Sequence, residues 1–232
     1  MPSAPLAVVS LSGGLDSCVA AAVARDQGFD LALLHADYGQ RTEARERQAF
    51  QAIADHYRVG ADRRLVVPFA GLRAIGGSAL TDPGIPLPEG DLDRKDIPAS
   101  YVPFRNAHLL AAAVSWAEVL GASAVYVGFV EEDSSGYPDC REAFLQAFER
   151  AADLGTRPTT RLSLRAPLIH LSKADIVRRG MALGAPLHLT WSCYQGEQAA
   201  CGRCDSCLLR LRGFAQAGFQ DPIPYLDPPR FS

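Results

Sequence analysis

Short apolar runs alternate along this chain with longer stretches in which apolar residues recur every three or four positions. The runs cover residues 6–11, 31–35, 65–69, 124–129 and 162–166, and valine, leucine and alanine dominate them. Such runs suit strands buried on both faces. Between them, residues 16–25, 42–57, 106–120, 141–154 and 172–183 read as helices. In the second of these, Phe50, Ile53 and Tyr57 share one face, and Glu43 and Arg47 stand one turn apart. Gly121 and Gly184 close the third and fifth. Strands alternating with helices predict an α/β fold: a doubly wound, Rossmann-like parallel sheet with helices on both faces. Residues 71–103, rich in Gly and Pro, predict a long loop folded over a site. The predicted division is an α/β domain over residues 1–185 and a small C-terminal segment over residues 186–232.

Ligands of doubly wound sheets bind beyond the carboxyl ends of the strands. Four distinctive segments follow predicted strands: "SGGLDS" at 12–17, "HADYGQR" at 35–41, "GFVEEDSSGYPDCR" at 128–141 and "PLIHLSKAD" at 167–175. The first joins a strand to an alanine-rich helix through Gly13 and Gly14. That junction aims backbone N–H groups and the positive helix end at one spot, an anion site with phosphate as the usual guest. Ser12 and Ser17 add hydroxyls. No Gly-Lys-Ser/Thr and no third glycine follow, so neither the common P-loop nor a dinucleotide fingerprint is present.

The other segments supply complementary chemistry. Tyr38 offers a flat surface and its loop backbone groups for adenine or ribose. Asn106 is the expected cap of its helix, which leaves Arg105 as a cation at a positive helix end, a conflict that a bound anion resolves. Ser172 and Asp175 match a capping box, and Lys173 between them is a candidate phosphate ligand replacing the missing P-loop lysine. Tyr137 and Asp139 lie in a Gly-Tyr-Pro turn, where Asp139 can accept the N–H donors of a guanine-like edge. Cys140 reads either as a nucleophile or as buried packing.

Cys193, Cys201, Cys204 and Cys207 are spaced C-x7-C-x2-C-x2-C, which suits a closed tetrahedral Zn²⁺ site or an iron–sulfur cluster. A structural zinc ion would staple a tail that is Pro-rich from Asp221 onward. The absence of a signal peptide or a membrane-length apolar stretch points to the cytoplasm, where the six cysteines stay reduced. A formal net charge of −3 argues against a stable nucleic-acid partner, and nothing argues for a membrane.

"SGGLDS" resembles the phosphate loop of the N-type ATP pyrophosphatases, the PP-loop proteins. With "DYGQR", "VPFRN", "SGYPDCR", the lysine loop and "CGRCDSC", the chain resembles the QueC family of 7-cyano-7-deazaguanine synthases from Leu11 to about Arg212. One departure is Phe104, where that family commonly has Gly. The resemblance implies a sheet of the adenine nucleotide alpha-hydrolase type with a zinc-binding helical appendage. It implies an ATP-dependent ligase that converts 7-carboxy-7-deazaguanine and ammonia to 7-cyano-7-deazaguanine through an amide, in queuosine biosynthesis. ATP would be held by Leu11, Ser12, Gly13, Gly14, Leu15, Asp16, Ser17, Cys18, Val19, Ala20 and Ala21, with Tyr38 and Lys173. Mg²⁺ would bridge its phosphates. Asp16, Lys173, Arg105 and Asp139 would be catalytic, and Arg105, Asn106, Tyr137 and Asp139 would bind substrate. The resemblance also implies a homodimer. The alternative is a PP-loop tRNA-modifying thiolase whose cysteines hold an iron–sulfur cluster.

Overall fold

The computed structural model describes residues 4–131, 136–229 and 231. The part of "GFVEEDSSGYPDCR" at 132–135 lies outside the described residues.

The apolar runs form five strands: β1 (Leu6–Ser10), β2 (Asp30–Asp37), β3 (Arg64–Pro68), β4 (Ala124–Tyr126) and β5 (Ser163–Arg165). They pair in parallel in the order β3-β2-β1-β4-β5. Strand β1 is central, with Val8 opposite Ala32 on one side and Val125 on the other. The chain therefore builds outward from β1 in one direction and then in the other. The crevice between β1 and β4 is the switch point where doubly wound sheets bind ligands.

Helices cover both faces because side chains along β1 alternate. Ala7, Val9 and Leu11 pack with α1 (Leu15–Asp26), with Phe50 and Ile53 of α2 (Glu43–His56), and with Ile176 and Val177 of α6 (Lys173–Ala182). Val8 points the other way, toward Leu110, Ala113 and Ala117 of α4 (Arg105–Leu120) and Leu145 of α5 (Glu142–Gly155). The alanines of α1 explain how that helix sits between sheet and α6 with almost no exposure. Its neighbour Gly180 has no room for a side chain, since a Cβ there would lie 2.8 Å from Val19 Cγ2.

Two helices lie outside the five stretches that periodicity marked, and the second forms the helical appendage that the resemblance implies. Helix α3 (Ala70–Ile75) opens the segment read as a loop, and α7 (Asp205–Ala217) follows the cysteines. The remainder of the 71–103 segment is irregular but anchored. Arg41 donates from Nε to Ala79 O (2.7 Å) and from Nη2 to Ile85 O (2.8 Å). Gly90 N donates to Arg203 O (2.8 Å), and Asp91 N to Asp205 Oδ1 (2.9 Å). The tail joins the main core through Phe214 of α7. No helix among the described residues is long and apolar enough to cross a membrane.

The cap of α4 corrects the expectation for Asn106. The N-cap is Phe104, in a left-handed conformation (φ 57°), and Asn106 lies inside the helix. Its backbone N–H is met by Asp139 Oδ2 at 2.9 Å, so a carboxylate from a distant turn caps the helix in place of a local side chain. The capping box at Ser172 is as expected: its Oγ accepts from Asp175 N at 3.1 Å.

Candidate functional site

A cavity of about 250 Å³ opens at the carboxyl edge of the sheet, over the β1–β4 crevice. The phosphate loop forms its floor. Gly13 has φ +90°, and a Cβ on it would lie 2.8 Å from Glu46 O, so glycine is required by conformation and by packing against α2. Gly14, in extended backbone, is the N-cap of α1 and brings no side-chain cap to the first-turn N–H groups. Those N–H groups lie at the positive end of the helix, where an anion is the natural partner. Ser12 Oγ accepts from Gly14 N (3.2 Å) and contacts Ser17 Oγ (3.1 Å), while Ser17 donates to Gly14 O (3.0 Å). The hydroxyls hold the loop in shape.

Lys173 enters from the first turn of α6 and is only 6% exposed. Its Nζ donates to both carboxylate oxygens of Asp16, at 2.9 and 2.8 Å. An ammonium two strands away from "SGGLDS" in the sheet thus stands beside the loop that lacks its own lysine. Leu11, Ser12, Gly14, Leu15, Asp16 and Ser17 line the cavity, whereas Cys18, Val19, Ala20 and Ala21 lie in the core behind it. Burial pushes the Cys18 thiol up to about 12.

Opposite the loop stands an aromatic shelf. The Arg105 guanidinium lies 5.3 Å from the centre of the Tyr38 ring and 5.9 Å from that of Tyr137, within cation–π range, and donates to Tyr38 Oη at 3.1 Å. Tyr137 Oη bonds Ser100 Oγ at 2.9 Å and reaches toward Tyr194. Asn106 borders the cavity, but its amide is engaged by Asp139 O (3.3 Å) and Cys140 Sγ (3.2 Å). Asp139 is buried behind the wall, and its Oδ1 has no hydrogen-bond partner among the described residues. Cys140 is on the wall, but burial raises its thiol to about 12, which keeps it protonated at neutral pH.

Among the cavity residues that the sequence did not single out are Glu46, Ser192 and Tyr194. Glu46 looked like one more charge on an amphipathic helix; only the packing of α2 on the loop turns it inward. Burial raises its carboxyl to about 7, against the hydrogen bonds from Thr42 and Gln40 and the charge of Arg105. Ser192 and Tyr194 flank Cys193 in a segment tied to the phosphate loop by Trp191 N, which donates to Gly13 O at 2.8 Å.

The four cysteines converge as their spacing predicts. Their sulfurs all lie within 4.8 Å of one another, and Cys201 and Cys207 are 3.9 Å apart. A tetrahedral ion with metal–sulfur bonds of about 2.3 Å needs sulfurs about 3.8 Å apart. Backbone N–H groups of Gly196 (3.2 Å) and Cys201 (3.3 Å) point at Cys193 Sγ, as a thiolate requires. The donor set fits a closed, four-coordinate metal centre. Beside it runs a buried tie that sequence did not announce. Arg210 donates to Asp221 Oδ2 (2.7 Å) and Oδ1 (2.9 Å) and to Thr190 Oγ1 (2.6 Å), and Tyr225 Oη donates to Asp221 at 2.7 Å.

Residues 6–218 match the family model described as "Queuosine biosynthesis protein QueC". The 7-cyano-7-deazaguanine synthase of Chlorobaculum parvum is 55% identical over 219 residues, which span 94% of this chain and 96% of that protein. The one from Chlorobium phaeobacteroides is 55% identical over 225 residues, 97% of this chain and 99% of its own. The one from Chlorobaculum tepidum is 56% identical over 219 residues, again 94% of this chain and 96% of its own.

Proposed function

The chain belongs to the QueC family of queuosine biosynthesis proteins, and on that footing we propose how its cavity makes 7-cyano-7-deazaguanine. The substrates are 7-carboxy-7-deazaguanine, ammonia and ATP. ATP activates the carboxylate by adenylation, ammonia displaces AMP to give the amide, and a second adenylation of the amide oxygen lets it leave and yields the nitrile. Both activations are needed because carboxylate and amide oxygens are poor leaving groups.

The observation that carries this reading is the convergence of three remote segments on one cavity. Gly14, Asp16 and Ser17 of the loop receive the phosphates, and Lys173 brings the cation. Charge stabilisation at the leaving phosphate is the main demand of such a reaction. Mg²⁺, if held by Asp16 on the cavity wall, would neutralise further phosphate charge. Tyr38, Arg105 and Tyr137 form a shelf suited to flat heterocycles, with Asn106 at its edge. Asp139 acts on substrate through the helix start it holds, and its second carboxylate oxygen is unpartnered among the described residues. The cysteine centre holds one structural Zn²⁺, since four sulfur ligands leave no open position. We further assign the chain to the cytoplasm as a homodimer.

Incubation with 7-carboxy-7-deazaguanine, ATP, Mg²⁺ and ammonium, followed by mass analysis, is expected to show first the amide and then the nitrile, with AMP and pyrophosphate. Neither product forming would refute the assignment.

A further inference from the structure

Adenylation explains how the carboxyl oxygen leaves, but the incoming nitrogen must also lose a proton. Ammonia that has attacked a carbonyl carbon carries three hydrogens and a positive charge, and the amide keeps only two. A base must stand in the cavity, and most polar groups on its wall are already committed. Asp16 is held by Lys173, Arg105 is a guanidinium, and burial keeps Tyr38 and Cys140 protonated, both near 12. Asp37, close by at the end of β2, is paired with Arg47.

Glu46 is different. The residue lines the cavity, its backbone oxygen lies beside Gly13 of the loop, and its carboxylate feels the charge of Arg105. Oε1 accepts from Thr42 Oγ1 (2.8 Å) and Oε2 from Gln40 Nε2 (3.1 Å). Gln40 is fixed in turn, since its Oε1 accepts from Tyr38 N at 2.9 Å. Each carboxylate oxygen accepts one hydrogen bond and retains a lone pair. No cation lies within ion-pair distance of Glu46 among the described residues. Glu46 thus lines the cavity with its carboxylate held by two neutral donors and by no ion pair.

We propose that Glu46 is the general base of amide formation, taking the proton from nitrogen as ammonia displaces AMP. The nitrogen lone pair forms the C–N bond. The bond from carbon to the adenylate oxygen breaks, and its electron pair leaves on AMP. The proton from nitrogen passes to Glu46. A carboxyl near 7 is half ionised at neutral pH and can both take and release that proton. Burial sets that value, against the lowering effects of Thr42, Gln40 and Arg105, while the carboxylate of Asp37 raises it further.

The inference rests on the ligase reading, and the experiment separates the two. Substrate-dependent exchange of labelled pyrophosphate into ATP reads adenylation alone; single-turnover amide formation from ammonium reads the step after it. Glu46→Gln is expected to keep exchange within about threefold of wild type and to lose about 10²-fold in amide formation. At constant free ammonia the wild-type amide rate should rise with pH through about 7, and the variant should lack that rise. Glu46→Asp, which keeps a carboxylate, should recover part of the rate. Amide formation by Glu46→Gln within threefold of wild type would overturn the proposal. So would a parallel fall in exchange and amide formation, which would mark Glu46 as a support of the 38–42 turn. Absence of exchange in the wild-type protein would count against the ligase reading itself.

Discussion

Phe104 shows how a single residue can carry a cost that its neighbours offset. A non-glycine residue with φ 57° costs about 1–2 kcal/mol. Phe104 recovers part of this through its ring, which meets Phe144 edge-on at 5.9 Å, and through its N–H, which Tyr101 Oη accepts at 3.0 Å. Glycine would remove the strain but lose the ring contact and enlarge the entropy of the unfolded chain. Phe104→Gly is therefore expected to change stability by less than about 1 kcal/mol in urea unfolding. Phe104→Val, branched at Cβ in a conformation that punishes branching, is expected to lose about 2 kcal/mol. Equal effects of the two substitutions would show that strain at this position is not the governing term. At the same scale, Asp139 has a second role that its sequence context did not show, beside the substrate contact expected of it. Its carboxylate holds Asn106 N from 33 residues away, a distance across which no local pattern reports.

At the scale of elements, the alternation of apolar runs and amphipathic stretches was enough to place the five strands and five of the seven helices. It worked because β1 and β2 are buried on both faces and the helices repeat regularly. Helix α3 was missed because six residues are too few to show a period, and the stretch after it is dominated by Gly and Pro. Helix α7 was expected only as an appendage without bounds, because the cysteine spacing, which ends in its first turn, masks its start. The convergence of the four cysteines was legible; the Arg210–Asp221–Tyr225 tie was not, since one arginine in a helix does not reveal a partner in the tail. The cysteine cluster and this tie lie on the same tail, and the segment holding Cys193 also touches the β1–α1 loop through Trp191. Cys204→Ser is accordingly expected to lose the ion and to lower Tm by about 10 °C, or about 3 kcal/mol for a chain of this size. Metal analysis with a thermal melt checks this; full metal content with an unchanged melt would remove the centre's structural role.

Across the whole molecule, one cavity, the proposed ATP site, is assembled from parts that no segment holds alone. The loop comes from the β1–α1 turn, the ammonium from α6, the aromatic shelf from the end of β2, the start of α4 and the turn at Tyr137. Strand order β3-β2-β1-β4-β5 opens the crevice between β1 and β4 into which these groups project. The absent P-loop lysine is thus a consequence of topology: Lys173, brought in by the last crossover, fills its place and pairs with Asp16 of the loop. The central claim is that this site activates oxygen, removing both carboxylate oxygens of the substrate on AMP. The most direct measurement uses 7-carboxy-7-deazaguanine labelled with ¹⁸O in both carboxylate oxygens, in turnover with unlabelled ATP and ammonium. The account predicts one ¹⁸O in each AMP released and none in pyrophosphate. Nitrile accompanied by unlabelled AMP, with the label in water or inorganic phosphate, would contradict it.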